Sequence, residues 1–497
     1  MQPRIVGLET EYGLYVEGHG ADEQIDDARE LVSGATFGRP NLWDYRNESP
    51  RADLRGFSVE KLTIDPEDAA FDRGRHYGPS EEVRADRILE NGARFYNDHG
   101  HPEYATPECL SIRDLVEADR QGENLTLRAA RAFAEKSGKE VKVYKNNTDF
   151  HGASYGTHEN YLVPRSIGFE RLYRAVTPLL VARQILCGAG KVGSEHGRKC
   201  AYQISQRADF FSEKASVDTL YRRPVFNTRD EPHADPAKWT RLHVIAGDAN
   251  MIPSATWRKV GLLRLALMLE EIGEVPLWNL KDPVLAFEDV SKDETMRFEI
   301  PLEGRSWTTA YEIVESYLAA GARFIPGSTS GGVEVQVEPG MQCAPELAQE
   351  LSELMLHCST LLQDLRTQPE KCAPHIDWLA KRSLLEQVME ETSLCWTALE
   401  MRSYDLEYHN IDPEESLFHA LVAMGQVEAT LTSSPPTHHS RAHARGIATR
   451  YPELTRANWR FLTFELDAKE KRFELDPERD YSHLNPVSDV VTFIESL

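Results

Sequence analysis

No run of about 18 consecutive apolar residues occurs in the 497-residue chain, which excludes a membrane-spanning helix. The opening stretch MQPRIVGLETEYG puts Glu9 and Glu11 where a secretory leader needs apolar residues, so no leader is expected. Cysteine is scarce and scattered. The seven (Cys109, Cys187, Cys200, Cys343, Cys358, Cys372, Cys395) include no CxxC pair, so neither a disulfide framework nor a zinc site of that spacing is expected. They read as reduced thiols of a cytoplasmic protein. Neither GxxxxGK[ST] nor GxGxxG is present, so any nucleotide must be held by another kind of site. Internal repeats and low-complexity tracts are absent. Basic residues are outnumbered, 56 Lys and Arg against 80 Asp and Glu, for a net charge of −24. A surface that acidic repels phosphate backbones and anionic lipid, so no nucleic-acid or membrane partner is expected.

What is present suits a globular enzyme-sized protein: hydrophobic residues at 41%, charged residues at 27%, and length for two or three domains. Residues 4–16 alternate in the strand manner, and residues 19–34 read as a helix. Residues 39–80 are polar, rich in Arg and Asp and without sustained period; a stretch of that length is a functional loop or a surface insertion. Further strands are expected at 93–99, 141–145, 158–164, 200–206 and 241–245. Helices are expected at 110–137, 170–187 and, as an amphipathic helix, 257–272, and they dominate from 343 to 425. SSPPTHHSRAHARG (433–446) punctuates the chain ahead of a small terminal α/β unit. Without a regular βαβ beat, this mixture points to an α+β fold with a largely antiparallel sheet.

The informative strings are Gly7-Leu8-Glu9-Thr10-Glu11 and Arg94-Phe95-Tyr96-Asn97-Asp98, the latter followed by His101-Pro102-Glu103. In a strand, residues two apart share a face. Glu9 and Glu11 therefore point one way, and Arg94, Tyr96 and Asp98 form a second row, with Val6, Leu8, Tyr12 and Phe95 packing behind. Acidic residues are poor strand formers, so two such strands need open water or bound cations on that face. Hard oxygen ligands of this kind suit Mg²⁺. The same spacing also suits two edge strands with solvated faces, and spacing alone does not choose. His158 and Asn160 share a face of a later strand and can contact a metal or phosphate or simply hydrogen-bond locally. Arg207, Arg222, Arg223, Arg229 and Arg241 form a dense arginine set, and guanidinium forks match phosphate and carboxylate geometry.

Taken in order, GLETEYG, NGARFYNDHGHPEYATPE, KNNTD…GASYGTHENYL, RQILCGAGKV, QISQRADF, NTRDEPHAD and RLHVIAGDAN resemble the carboxylate-amine ligase-like enzymes of the Pup system, remote relatives of glutamine synthetase. DLEYHNI (405–411) and Trp459 extend the likeness over nearly the whole chain. WDYRNESPRADLRGFS, within 39–80, resembles the loop that marks the Pup deamidase/depupylase branch, whereas RQILCGAGKV and HPEYATPEC lean towards the ligase branch. The resemblance implies a glutamine synthetase-like catalytic domain over 1–425, with 39–80 as an insertion, and a small domain over 426–497. Its sheet would form a curved cradle for ATP or ADP with Mg²⁺. It places Asp98 on the catalytic aspartate, and Glu9, Tyr96 and Glu103 on metal positions. Arg94, Thr106 and Trp459 fall on nucleotide positions, with Glu11, His158 and His243 as further metal or phosphate candidates. The implied activity is hydrolysis of the C-terminal glutamine amide of Pup, of the Pup–lysine isopeptide bond, or of both. The alternative is ATP-dependent ligation of Pup to lysine. Pup is acidic, so the arginine set is expected to line a basic groove for it.

Overall fold

The alternating segment at the start of the chain becomes the middle of a sheet, not an edge. The computed structural model describes residues 4–62, 85–150, 152, 154–325, 329–330, 333–334, 344–431 and 437–497. Seven strands form one wholly antiparallel sheet: β1 (Val6–Glu11), β2 (Arg39–Pro40), β3 (Asp86–Ile88), β4 (Arg94–Asp98), β5 (His101–Ala105), β6 (Thr157–Pro164) and β7 (Trp239–Val244), in the order β7-β6-β1-β5-β4-β3-β2. A separate ribbon pairs Gly13–Val16 with Val141–Tyr144.

One face of the sheet is apolar and is covered by helices. Val6, Leu8, Tyr161, Val163, Leu242 and Val244 enter the main core with α2 (Ile112–Ser137), α3 (Gly168–Ala182) and α4 (Pro253–Glu271). Phe95 and Tyr104 enter a second cluster with α1 (Gln24–Gly34) and the far half of α2. Helix α2 has a serine cap, Ser111, whose hydroxyl accepts from the Asp114 amide, and it stops at Gly138 in the left-handed region (φ 69°). Its Gly122 faces Tyr104, and a Cβ there would overlap the ring.

The sequence expects α4 to be amphipathic, but residues 253–270 are all buried. A helix enclosed on every side still carries Arg258, Lys259 and Arg264, because each donates to a backbone carbonyl: Leu186, Asp248 and Leu110 respectively. Helices α5 (Pro345–Thr367), α6 (Asp377–Thr392) and α7 (Leu399–Tyr408) fill much of the region expected to be helical. The strand expected at 200–206 is only Tyr202–Gln203. Residues 63–80 of the insertion, and Cys343, lie outside the described residues. Insertion residues 41–59 pack on the chain: Trp43 bridges Ala457, and Asp53 bridges Arg229 and accepts from the Thr228 hydroxyl.

Where the sequence reads as punctuation, the structure places helix α8 (Ser440–Ala448). Glu108, just past β5, accepts from Arg441 (2.9 Å) and Arg445, all three buried. The helix also touches the Glu90–Gly92 turn backbone to backbone, since a Cβ on Gly446 would overlap the Glu90 carbonyl. After it come β8 (Leu454–Ala457), β9 (Phe461–Leu466) and β10 (Lys469–Glu474), whose core includes Leu42, Trp43 and Ile88.

Candidate active site

The opposite face of the sheet gathers the acidic strings into rows, because directly opposed residues of paired strands share a face. Arg94 lies opposite Ala105, Ala105 opposite Glu9, and Glu9 opposite His158. One step along, about 7 Å away at strand rise, Tyr96 faces Glu103 and Glu103 faces Glu11. In the next row Asp98 faces His101. The two carboxylate rows expected from sequence thus occupy one face of one sheet, with Val6, Leu8, Tyr12 and Phe95 buried. Since β1 is flanked by β5 and β6, the solvated-edge alternative does not hold for it.

Asp98 ends β4 at a two-residue hairpin turn. His99 and Gly100 both take positive φ (46° and 90°), as the tight primed turns require, and the Gly100 amide donates to Asn97 Oδ1 at 3.1 Å. The Asp98 side chain stays 40% exposed, whereas Glu9 and Glu11 are 18% and 11% exposed. The most open carboxylate of the floor is therefore Asp98, the residue that the resemblance places on the catalytic aspartate.

Two clusters have ligand atoms within 4.8 Å of one another: Glu9, His158 and His243; and Glu11, Asp98 and Glu103. Burial pushes the Glu9 pKa up, but hydrogen bonds to His158 and His243 and the Arg241 charge hold it well below the usual range. Burial opposes the charge on Glu11 too. The charges of His158 and His101 and the Gly156 amide, donating at 2.8 Å, keep its pKa low. Glu103 goes the other way: burial, then the charges of Asp98, Glu11 and Glu9, raise its pKa well above the usual range. Its partner is the Tyr96 hydroxyl, which donates to it, and no ion pair to a basic side chain is found for it among the described residues. Burial and Arg241 push the His243 pKa well down, leaving a neutral imidazole. An acid-rich pocket short of positive charge at Glu103, with neutral imidazole alongside, fits a hard divalent cation.

Thr106, Trp459 and Glu9 come together around a cavity of about 60 Å³ bounded by Gly7, Asn160, Arg241, His233 and Arg441. The Thr106 hydroxyl accepts from the Leu8 amide at 3.0 Å. A second cavity of about 310 Å³ lies between Trp43–Ser49, Asp230–Pro236 and Asn458–Phe461 and shares Pro232, His233 and Trp459 with the first. Arg94 sits outside both. Its guanidinium lies 3.6 Å from the Tyr96 ring centroid, 4.1 Å from Trp43 and 5.2 Å from Tyr45, and it donates to the Tyr45 hydroxyl at 2.9 Å. Trp43 and Trp459 meet edge to face at 5.1 Å.

The basic groove expected from the arginine set is not there as a surface. Arg207 is buried and donates to the Tyr155 carbonyl, and Arg223 reaches the Ser154 carbonyl. Arg229 and Arg241 turn towards Glu231, and Arg241 also faces Glu9 at 3.7 Å. Only Arg222 is exposed. Arg207 acts on Glu11, and Arg241 and Arg229 on Glu9, so part of the acid floor is offset from within. Sequence reasoning missed Tyr45 in the Arg94 cage and Arg441 in the cavity wall; the aromatic pair in WDYRN was the available signal for the first.

The Pup-ligase protein family matches residues 4–463. A protein named depupylase from Acidothermus cellulolyticus is 36% identical over 486 residues, 94% of this chain and 92% of its own. One named Pup deamidase/depupylase from Mycobacterium tuberculosis is 33% identical over 530 aligned residues, covering 99% of both. Among solved structures, the ligase PafA in complex with Pup superposes with a TM-score of 0.74 at 26% identity, over 99% of this chain and 92% of that one. PafA in complex with ADP gives a TM-score of 0.68 at 28% identity, over 88% and 95%.

Proposed function

The chain belongs to the Pup-ligase family, and on that premise we propose that it is a Pup deamidase/depupylase, hydrolysing the C-terminal glutamine amide of Pup, the isopeptide bond between Pup and lysine, or both. The observation that carries this reading is Asp98. It is the exposed end of a carboxylate ladder otherwise buried, in a chain that aligns along nearly its full length with depupylases. The solved ligases favour ATP-dependent ligation as the second reading.

The Thr106–Trp459 cavity and the larger one that adjoins it across Pro232, His233 and Trp459 would together take ATP or ADP, with Arg94 completing the nucleotide site. Glu9, Glu11, Tyr96, Glu103, His158 and His243 would hold Mg²⁺. Bound there, the cation supplies positive charge for the carbonyl oxygen as it becomes an oxyanion. The work of the chain's own residues is positional. The His99–Gly100 turn fixes Asp98 one row beyond Glu11 and Glu103, and partial exposure leaves its oxygens open to substrate. Asp98 either attacks the amide carbonyl, expelling ammonia or the lysine amine once protonated and leaving an acyl-aspartate anhydride that water then hydrolyses, or takes a proton from the water that attacks instead. Both routes break one C–N bond and add one water. The six described cysteines are free, and most are buried, which accords with a reducing, cytoplasmic compartment.

The test is mass spectrometry of Pup carrying C-terminal glutamine, and of a Pup–protein conjugate, after incubation with protein and Mg²⁺, once with ADP and once with ATP. A one-dalton gain or free Pup supports hydrolysis. New conjugate formed with stoichiometric ADP release from ATP overturns it in favour of ligation.

A further inference from the structure

His233 occupies an unusual place. It lines both cavities, sharing that border with Pro232 and Trp459. Its backbone is in the left-handed region (φ 52°), which glycine adopts more readily than any residue with a Cβ. Strain of this kind persists where the surroundings enforce it and clusters at ligand clamps. Here the enforcement is visible: the buried Arg441 donates to the His233 carbonyl at 3.0 Å, and Arg441 is held by Glu108. The same Glu108 holds Arg445, whose guanidinium stacks 4.5 Å from the Trp459 ring centroid. One buried carboxylate thus braces both sides of the slot, the tryptophan on one and the histidine on the other.

The imidazole itself is idle. No hydrogen bond to either ring nitrogen is found among the described residues, although the ring is largely enclosed and next to Arg241 and Arg441. Burial and the Arg241 charge push its pKa well below the usual range, so it is neutral, with one donor and one acceptor. A neutral ring brings no positive charge to a phosphate. It suits hydroxyl and ring-nitrogen partners, and it faces a space that Trp459 already gives an aromatic wall.

Resting on the nucleotide reading above, we infer that His233 is a specificity-determining contact to the nucleoside moiety of the bound nucleotide, opposite Trp459. It would recognise sugar and base and leave the phosphates to other groups. The strained backbone supplies a decisive variant. His233→Gly removes the imidazole and relieves the positive φ, so its melting temperature should equal or exceed that of the wild type. In calorimetric titrations with Mg²⁺ present, its affinity for ADP should fall about tenfold, the scale of one lost hydrogen bond with its packing. Affinity for inorganic diphosphate should stay within twofold. His233→Asn, which tolerates the same φ and keeps a donor and an acceptor, should recover part of the loss. Undiminished ADP affinity in His233→Gly, or an equal loss for ADP and diphosphate, would overturn the inference. Wild-type protein that binds no ADP would overturn the nucleotide reading beneath it, a distinguishable failure.

Discussion

At the scale of single residues, the floor of the site is a problem in charge placement. Four carboxylates, Glu9, Glu11, Glu103 and Asp98, meet on one sheet face, and the cations there are spent unevenly: Glu9 faces Arg241 and two histidines, while Glu103 has, among the described residues, a tyrosine hydroxyl and no basic partner. Replacing Glu103 by Gln should therefore raise the melting temperature of metal-free protein, since it removes a repelled carboxyl, and diminish the further rise produced by millimolar Mg²⁺. Thermal melts in EDTA and in Mg²⁺ check both halves. Asp98→Asn keeps size and turn geometry but removes the reactive charge. Turnover of Pup-Gln, followed by mass, should fall about 10²–10⁴-fold, with ADP affinity within twofold of wild type. These rows were legible in the sequence because strand period is strict: knowing that Glu9 and Glu11 share a face needs no tertiary information. That Glu11 stands opposite Glu103 was not legible, because register comes from the His99–Gly100 turn and from neighbouring strands. The arginines were misplaced for a related reason: local sequence gives their number but not whether a buried acid awaits them, and Glu9 and Glu231 do.

Among elements, the junction between β5 and α8 decides most. Burial alone would raise the pKa of Glu108, but Arg445 and Arg441 pull it down to about 2. A carboxyl depressed in the folded state adds stability that is complete above its unfolded value near 4.3 and is lost as pH falls towards 2. Glu108→Gln, which strands two buried guanidinium groups, should cost about 3–5 kcal/mol at pH 7. In urea titrations the gap to wild type should be widest near neutrality and close between about pH 4.5 and 2. Helix α8 itself was missed in sequence because SSPPTHHS is built of turn formers, and the helix that follows draws its stability from docking through Glu108 and Gly446. Helix α4 was misread in a parallel way: its cationic residues mimic a solvated face, yet backbone carbonyls of other segments satisfy them. Glycine on α2 gives a sharper check. Ala normally outscores Gly in a helix by up to about 1 kcal/mol, yet Gly122→Ala should destabilise by about 1–3 kcal/mol because Tyr104 has no room to yield beneath the sheet.

For the whole molecule, the site is assembled from segments far apart in the chain: β1 near the start, β7 beyond residue 239 and Trp459 near the end. A ligand that bridges them reports on all of them. ADP with Mg²⁺ at a hundredfold excess over its dissociation constant should stabilise by about 2.7 kcal/mol. Chelation by EDTA should remove most of that gain, which a scanning calorimeter resolves as a shift in melting temperature. If its partner is acidic, as the resemblance implies of Pup, a chain of net charge −24 has to keep repulsion local, and Arg207, Arg229 and Arg241 are spent inside the fold instead of on a surface groove.

Because Arg441 and Arg445 sit four residues apart on one helix and clasp one acid, the jaws on either side of the nucleoside slot share a single hinge pin. Since that clasp also carries stability of about 3–5 kcal/mol, variation in the helix should move ligand preference and melting temperature together, and a change at Trp459 should be felt at His233 through the one acid behind both.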